Sequence, residues 1–305
     1  MIANIRRCSS TVEHSFRKAG VESSILSIGL VDIDHKYNKL KDLLNSLGKT
    51  VIAYSGGVDS TFLLKVAVDT LGPQNIIACI GISPSLSKTQ KKQALDMAGI
   101  IGITPTQVKL YELDDTNYSA NKADRCFHCK THLFKTLKKI AEENNIENII
   151  CGNNFDDKDD YRPGNRAAEV FSVKSPLMDS KLTKNNIRHL SRNLNLPTAD
   201  APASPCLSSR ICYGLEVTAE KLKQVENAED FLRELGFVEF RVRHHGEIAR
   251  IEVNNADIEK ITEDPTRQKI VEKLKLLDFK YITIDLHGFR SGSLNESLTE
   301  KEKQL

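Results

Sequence analysis

The chain has 305 residues, enough for about two average domains, and its 40% hydrophobic and 28% charged residues are ordinary values for a globular protein. The formal net charge of +2 provides no overall basic field, so we expect neither a nucleic acid nor a membrane as a partner. No apolar run approaches the roughly 18–20 residues that cross a bilayer, and the composition excludes collagen, a long coiled coil and long disorder.

The cysteine content points to chemistry rather than to a disulfide scaffold. Seven cysteines are few for a chain of this length, and their number is odd. The first thirty residues lack the continuous apolar stretch of a secretory signal, so we expect a cytoplasmic protein with reduced thiols. Some of these thiols are then candidates for metal or sulfur chemistry.

Apolar periodicity predicts alternating helices and strands in the first two thirds of the chain. In order these are a helix ending at Gly48, a strand over 50–55, a helix over 59–71, a strand over 76–82, a helix over 88–102, a strand over 104–113, a helix over 130–144 and a strand over 146–153. The alternation predicts an α/β domain over 34–212, a doubly wound parallel sheet with helices on both faces. Residues 1–33 lack a clear period and are predicted to be an N-terminal extension.

The pattern changes after about residue 213. A helix is predicted over 218–236, strands over 237–245 and 248–253, a helix over 266–277 and a strand over 281–286. This order predicts a second, smaller α+β domain over 213–305, for substrate binding or oligomerisation.

A glycine loop lies between the first strand and the following helix. It consists of Ser55, Gly56, Gly57, Val58, Asp59 and Ser60. Glycines let backbone N–H groups approach a phosphate, and the start of a helix adds its positive end. The lysine of the common triphosphate-binding loop is absent. The structural alternative is a tight turn in which Asp59 caps the helix.

The glycine loop resembles the SGGxDS loop of the PP-loop ATP pyrophosphatases at every fixed position. The resemblance implies cleavage of ATP between its α and β phosphates, with adenylation of a carboxyl or carbonyl oxygen. It also implies that Asp59 helps place Mg²⁺ or the loop itself, and that the segment containing Ser83, after the second strand, contacts the adenine.

Three cysteines, Cys126, Cys129 and Cys206, form the second candidate site and are called the cysteine trio below. A lone CxxC is compatible with zinc, a redox pair, a cluster or chance, and no second CxxC completes a four-cysteine zinc site. Three thiolates suit a 4Fe-4S cluster with one open iron that can carry a hydrosulfide, and the alternative is three unconnected thiols. Cys79 and Cys151 lie in apolar strands and are expected in the core.

A closer resemblance, to the LarE family of sulfur transferases, rests on several segments in fixed order. These are the glycine loop, ADRCFHCKTHLF (123–134), DDKDDYRPGNR (156–166), ASPCLSSR (203–210), RVR (241–243), ARIEV (249–253) and DLHGFRSGSLNE (285–296). The resemblance implies adenylation of a carboxyl of pyridinium-3,5-biscarboxylic acid mononucleotide and its conversion to a thiocarboxylate, in nickel-pincer nucleotide synthesis. Because the whole trio is present, we favour sulfide relay by a 4Fe-4S cluster over a sacrificial cysteine. A sulfide donor and a homo-oligomer are also expected.

Alternating residues in the second domain predict a polar face on two neighbouring strands. Arg241 and Arg243 share this face with Arg250 and Glu252 of the next strand. The face is either solvated or a phosphate and carboxylate site, since arginine forks suit both anions. The LarE resemblance implies that Arg241 and Arg243 bind the substrate phosphate.

The same resemblance assigns further substrate and cofactor contacts. Arg210 is expected to contact the phosphate or carboxylate, and Glu229 to orient Arg241 or contact substrate or metal. In the acidic segment (156–160), Asp157 or Asp160 would hold Mg²⁺–pyrophosphate while Arg162 offsets charge; the alternative is a solvated acidic loop.

Other functions stay open at this point. A tRNA thiolation enzyme would use the same ATP and cluster chemistry, but the near-neutral charge argues against it. A desulfidase that supplies sulfide would not need ATP. An enzyme that forms an amide with ammonia would not need the cysteine trio. A nucleotide-sensing or metal-storing module would bind ATP without releasing pyrophosphate.

Overall fold

The structure is a computed structural model that describes residues 31–158, 163–290 and 292–299. It begins in helix α1 (31–47), which ends where Gly48 takes a φ of 64°. Residues 31–33 of the predicted N-terminal extension belong to this helix, and the rest of the extension lies outside the described residues.

The first sheet and its helices occupy the chain up to about residue 193. In order they are β1 (Thr50–Ala53), α2 (Val58–Leu71), β2 (Ile76–Ile82), α3 (Lys88–Ile101), β3 (Thr106–Lys109), α4 (Thr116–Ser119), α5 (Arg125–Glu143), β4 (Asn148–Cys151), α6 (Pro163–Val170), α7 (Pro176–Asp179) and α8 (Lys184–Asn193). The sheet is parallel throughout, with strand order β3-β2-β1-β4.

Both faces of this sheet are buried. Along β1, Val51 and Ala53 pack into a core with α5 and α6, while Ile52 packs into the opposite core with α1, α2, α3 and α8. The predicted doubly wound α/β fold is therefore confirmed. Cys79 and Cys151 are buried within this core, as expected.

The second, smaller sheet follows helix α9 (Ala219–Glu234). Its elements are β5 (Phe240–His245), β6 (Ile248–Val253), α10 (Ile258–Thr262), α11 (Thr266–Leu276) and β7 (Tyr281–Ile284). Strands β5 and β6 are antiparallel, and β7 runs parallel to β6 at the edge. The two predicted domain ranges stay predictions, since one apolar cluster joins Leu207 and Ile211 to Val217 and Leu222 across the expected boundary.

Some elements differ from the sequence-based prediction. Helix α5 begins at Arg125, before the apolar spacing that predicts a helix over 130–144, and Cys126 and Cys129 lie in its first turns, as expected for a CxxC at the start of a helix. Helices α6 to α8 were not predicted; α8 is strongly polar, and Ile187 and Leu190 are its only buried apolar residues. Among the described residues, no helix is both long and apolar enough to cross a membrane.

Candidate active site

The glycine loop joins the carboxyl end of β1 to the first turn of α2. Gly56 takes a φ of 76°, and Gly57, not Asp59, is the N-cap of α2. The Ser60 hydroxyl lies 3.0 Å from the Ser55 hydroxyl and donates to the Gly57 carbonyl at 3.2 Å. Because no side chain among the described residues caps this helix, its first N–H groups are available to an anion, which favours the phosphate-loop interpretation over the capped turn.

Two close backbone approaches hold the glycine loop in place. A Cβ on Gly56 would lie 2.4 Å from the Ala94 Cβ of α3, and a Cβ on Gly152 would lie 2.9 Å from the Ser60 backbone nitrogen. Only glycine fits at such distances without movement of the neighbouring backbone. The loop is thereby packed between α3 and the residue that follows β4.

Asp59 forms an ion pair that the sequence did not predict. Its Oδ2 lies 2.6 Å from the Nζ of Lys184, the first residue of α8, while its buried Oδ1 has no hydrogen-bond partner among the described residues. A carboxylate oxygen without a donor is a ligand that a hard cation such as Mg²⁺ prefers. The chemistry of this position therefore fits the magnesium ion expected with ATP.

The acidic segment lies close to this ion pair. Asp156 accepts a hydrogen bond from the Lys184 backbone N–H at 2.8 Å. Asp157 is buried, and its carboxylate accepts from the Asn154 N–H at 3.0 Å. Asp160 and Arg162 lie outside the described residues, so their predicted roles, like that of Asp157 toward Mg²⁺, stay predictions.

The loop after β2 connects the predicted adenine site to the Cys206 segment (203–210). The Ser83 hydroxyl accepts from the Ser85 N–H at 3.2 Å, and the Ser85 carbonyl accepts from the Leu207 N–H at 2.8 Å. The Ser85, Tyr118 and Ser208 hydroxyls form a closed, buried ring, with oxygen separations of 2.6, 2.5 and 2.8 Å. Residues 83–85 and 206–208 are thus held in one hydrogen-bonded unit.

The cysteine trio converges at this unit from two parts of the chain. Cys126 is exposed, and Cys129 and Cys206 are half-buried. Burial raises the pKa of Cys129, and its Coulomb interactions with Cys206, Glu112 and Cys126 raise it further. The Cys129 side chain packs against the apolar cluster that contains Leu207, the residue after Cys206.

Arg125 supplies a positive charge beside the trio. It is 3% exposed, and its NH1 donates to the Asn121 side chain and, at 2.9 Å, to the Ser208 carbonyl. Burial lowers the pKa of Arg125, but Coulomb interactions with Cys126, Cys206, Tyr213 and Tyr118 outweigh that effect and raise it. A buried guanidinium requires negative charge nearby, and no carboxylate pairs with this one in the described chain.

The residues around the trio fit an anionic, thiolate-bound group such as an iron-sulfur cluster, because three thiols and one buried cation are brought together. Across the described ranges, however, no three His, Cys, Asp or Glu side chains are already arranged around a metal position. The thiol side chains would therefore have to turn toward one another to hold such a group.

The arginines predicted to bind substrate differ in what they contact. Arg210 pairs with Glu229 through two hydrogen bonds, of 2.9 and 3.2 Å, and Arg243 pairs with Glu252 through bonds of 3.0 and 2.8 Å. Arg241 instead donates to the Phe240 and Ala203 carbonyls at 2.6 and 2.8 Å. Among these three guanidiniums in the described chain, Arg241 alone lacks a carboxylate partner.

The electrostatic environment of Arg241 favours an anionic ligand. Burial and the neighbouring Arg210 lower the pKa of Arg241 to about 10. Its guanidinium carbon also lies 4.9 Å from the centre of the Phe289 ring. A desolvated cation next to another cation is stabilised by a bound phosphate or carboxylate.

Two other predicted substrate residues have structural partners. Glu229 orients Arg210 rather than Arg241, and it also accepts from the Val242 N–H at 3.1 Å. Arg250 donates to Glu252 at 3.0 Å. Because Arg210 NH1 donates to the Pro205 and Cys206 carbonyls at 2.6 and 3.0 Å, the Arg210–Glu229 pair fixes the Cys206 backbone.

Glu229→Gln is expected to lower the free energy of unfolding by about 3 kcal/mol, because it leaves the Arg210 charge buried without a partner. Urea unfolding measures this change. The matched control is Asp230→Asn, which removes the exposed pair with Arg233 on the same helix and should cost at most about 0.5 kcal/mol. Equal losses in both variants would contradict a structural role for the buried pair.

Comparison with known proteins identifies the family. Residues 33–150 match the family described as NAD synthase. The pyridinium-3,5-bisthiocarboxylic acid mononucleotide synthase of Lactiplantibacillus plantarum is 34% identical over 259 residues, which cover 85% of this chain and 93% of that protein. The chain belongs to the LarE family of PP-loop enzymes.

Two other proteins are similar over nearly the same length. An uncharacterized protein of Synechocystis sp. is 41% identical over 268 residues, or 88% of this chain and 100% of that protein. An uncharacterized protein of Methanocaldococcus jannaschii is 33% identical over 258 residues, or 83% of this chain and 95% of that protein. The LarE resemblance predicted from the sequence segments is thus confirmed.

Three side chains of this LarE-family site were missed by sequence reasoning. Lys184, Tyr118 and Arg125 lie in segments with no motif that marks them individually. Arg125 stands next to Cys126, but a basic residue beside a CxxC is unremarkable in sequence. Their partners are 125, 90 and 83 positions away in the chain, so the folded structure was needed to find them.

Proposed function

We propose that this LarE-family protein is an ATP-dependent sulfurtransferase acting on pyridinium-3,5-biscarboxylic acid mononucleotide. The observation that supports this most is the junction of the Cys206 segment with the loop after β2, through Leu207, Ser85, Tyr118 and Ser208. This junction ties the segment that carries Cys206 to the loop that we expect to contact the adenine. Proximity of this kind contributes strongly to catalysis.

The first step activates the acceptor. A substrate carboxylate oxygen attacks the α-phosphorus of ATP and pyrophosphate leaves, which removes the negative charge that repels a nucleophile. The glycine loop would hold the phosphates through the first N–H groups of α2, and Asp59 would hold Mg²⁺. Arg241, which has no carboxylate partner, would bind the phosphate of the substrate.

The second step replaces oxygen by sulfur. A sulfide attacks the activated carbonyl carbon, and AMP departs with the former carboxylate oxygen, which leaves a thiocarboxylate. A 4Fe-4S cluster held by Cys126, Cys129 and Cys206 would supply that sulfide from an external sulfide donor. Arg125 would balance negative charge at the trio, while the Arg210–Glu229 pair keeps the Cys206 backbone in place.

Anaerobic turnover with ATP, Mg²⁺, sulfide and the biscarboxylic nucleotide tests the proposal. Mass spectrometry should show a product with one oxygen replaced by sulfur, together with equal amounts of AMP and pyrophosphate. Total tRNA offered in the same reaction should gain no sulfur, and sulfur incorporation into tRNA would instead indicate the thiolation enzyme. Sulfide release from a thiolated small molecule, in a separate reaction without ATP or added sulfide, would indicate the desulfidase.

A further inference from the structure

The carboxylate expected to place Mg²⁺ is occupied by a lysine in this structure. Lys184 Nζ lies 2.6 Å from Asp59 Oδ2, and the two side chains are 36% and 21% exposed. A magnesium ion bound to the unpartnered Oδ1 would share one carboxylate with the Lys184 ammonium, and two cations at that distance repel each other. Binding of the metal at Asp59 therefore favours movement of Lys184 away from the carboxylate.

The position of Lys184 is fixed by its own backbone. Thr183 and Asn186 form a capping box at the start of α8, and the Lys184 N–H donates to Asp156 at 2.8 Å. The base of the side chain thus stays between the acidic segment and the glycine loop. The four-carbon stem can still turn, since a lysine side chain is a flexible carrier of a point charge.

A second observation points to a ligand at the same place. Asp59 Oδ1 is buried and lacks a hydrogen-bond partner in the described part of the chain, so the ion pair satisfies only half of the carboxylate. The uncapped N–H groups of α2 lie in the same turn. The Asp59 carboxylate with its one open oxygen and the free N–H groups of α2 thus lie next to the movable Lys184 ammonium.

We propose that Lys184 exchanges partners during nucleotide binding: it neutralises Asp59 in the free protein and contacts the phosphates when Mg²⁺ takes the carboxylate. The exchange rests on the ATP use contained in the proposed function. It keeps every charge paired, because Mg²⁺ replaces the ammonium on Asp59 and the phosphates receive the released ammonium. Mg²⁺ alone must compete with Lys184 for Asp59. When the phosphates are also present, the released Lys184 binds them, so Mg²⁺ and the phosphates bind cooperatively.

Lys184→Met separates these two effects. Without the competing ammonium, Mg²⁺ alone should bind about tenfold more tightly, and inorganic pyrophosphate with Mg²⁺ should bind about tenfold or more weakly, which is the size of one lost charged hydrogen bond. Isothermal titration calorimetry on the full chain measures both affinities. Lys184→Arg, which keeps the charge, should retain most of the pyrophosphate affinity.

The matched control is Lys65→Met. Lys65 forms an ion pair of the same length, 2.6 Å, with Asp69 on the outer part of α2, so its loss should change neither affinity. Opposite changes in Lys184→Met support the exchange, whereas changes in the same direction, or none, overturn it. A wild-type chain that binds neither Mg²⁺–ATP nor Mg²⁺–pyrophosphate contradicts the proposed function itself, and a misfolded variant is recognised by its thermal unfolding curve.

Discussion

Cys206→Ala is expected to lower formation of the sulfur-containing product by more than about 100-fold, since correct placement of a reactant contributes many kcal/mol to catalysis. ATP–pyrophosphate exchange should continue in the presence of the substrate, because the glycine loop and Asp59 remain intact. Cys126→Ala and Cys129→Ala should behave in the same way. Product formation is followed by mass spectrometry, and exchange with labelled pyrophosphate.

The cluster hypothesis gives these variants a second measurement. Anaerobically prepared wild-type protein should contain about four iron and four sulfide per chain, and each variant should lose them. Cys212→Ala is the matched control, because Cys212 is a half-buried free thiol just beyond the Cys206 segment. Full iron content in all three trio variants would contradict the assignment, and loss of one cysteine sulfur after turnover would indicate the sacrificial mechanism.

Arg241→Met is expected to raise the KM for the mononucleotide by about 10- to 100-fold, the size of one charge-assisted hydrogen bond, with a smaller effect on kcat. Arg241 has no carboxylate partner in the part of the chain that the structure describes, so its loss leaves no buried acid unpaired there. Initial rates at varied mononucleotide concentration measure this effect. The KM for ATP should stay within about twofold, since the glycine loop is unchanged.

Two further variants separate substrate binding from structure. Arg241→Lys should recover only part of the affinity, because an ammonium lacks the planar fork of a guanidinium. Arg233→Met removes an exposed arginine on the neighbouring α9 and should leave both KM values unchanged. An unchanged mononucleotide KM in Arg241→Met would show that the phosphate binds elsewhere.

The sequence predicted the structural features that depend on the spacing of residues close together in the chain. The apolar period of α2 and the glycines before it predict a strand, a loop and a helix in succession. The alternation in β5 and β6 predicts one shared polar face for Arg241, Arg243, Arg250 and Glu252, and the structure adds the register, with Arg241 opposite Glu252 and Arg243 opposite Arg250. These outcomes follow from periods of 3.6 and 2 residues, which a single chain displays directly.

Partner choice between distant segments was not predictable in this way. Alternation put Arg243 and Glu252 on the same face of the sheet, but nothing local showed that Arg243 would pair with Glu252, or that Glu229 of α9 would pair with Arg210 rather than Arg241. The Asp59–Lys184 pair depends on where the polar helix α8 packs, and only two apolar residues of α8, Ile187 and Leu190, indicate that position in the sequence. Such pairings are set by tertiary packing rather than by sequence spacing.

The burial of two cysteines in the first sheet divides the thiols into separate reactivity classes. Burial raises the pKa of Cys79 to about 12, and Cys151 is enclosed in the same core, so neither will react readily with an alkylating reagent in the native state. Within the described chain, the thiols with exposed surface are Cys126, Cys129, Cys206 and Cys212, and Cys129 is expected to react more slowly because burial also raises its pKa. Alkylation of the native protein can therefore report whether the cysteine trio is occupied by a ligand, with the buried Cys79 and Cys151 as internal unreactive controls.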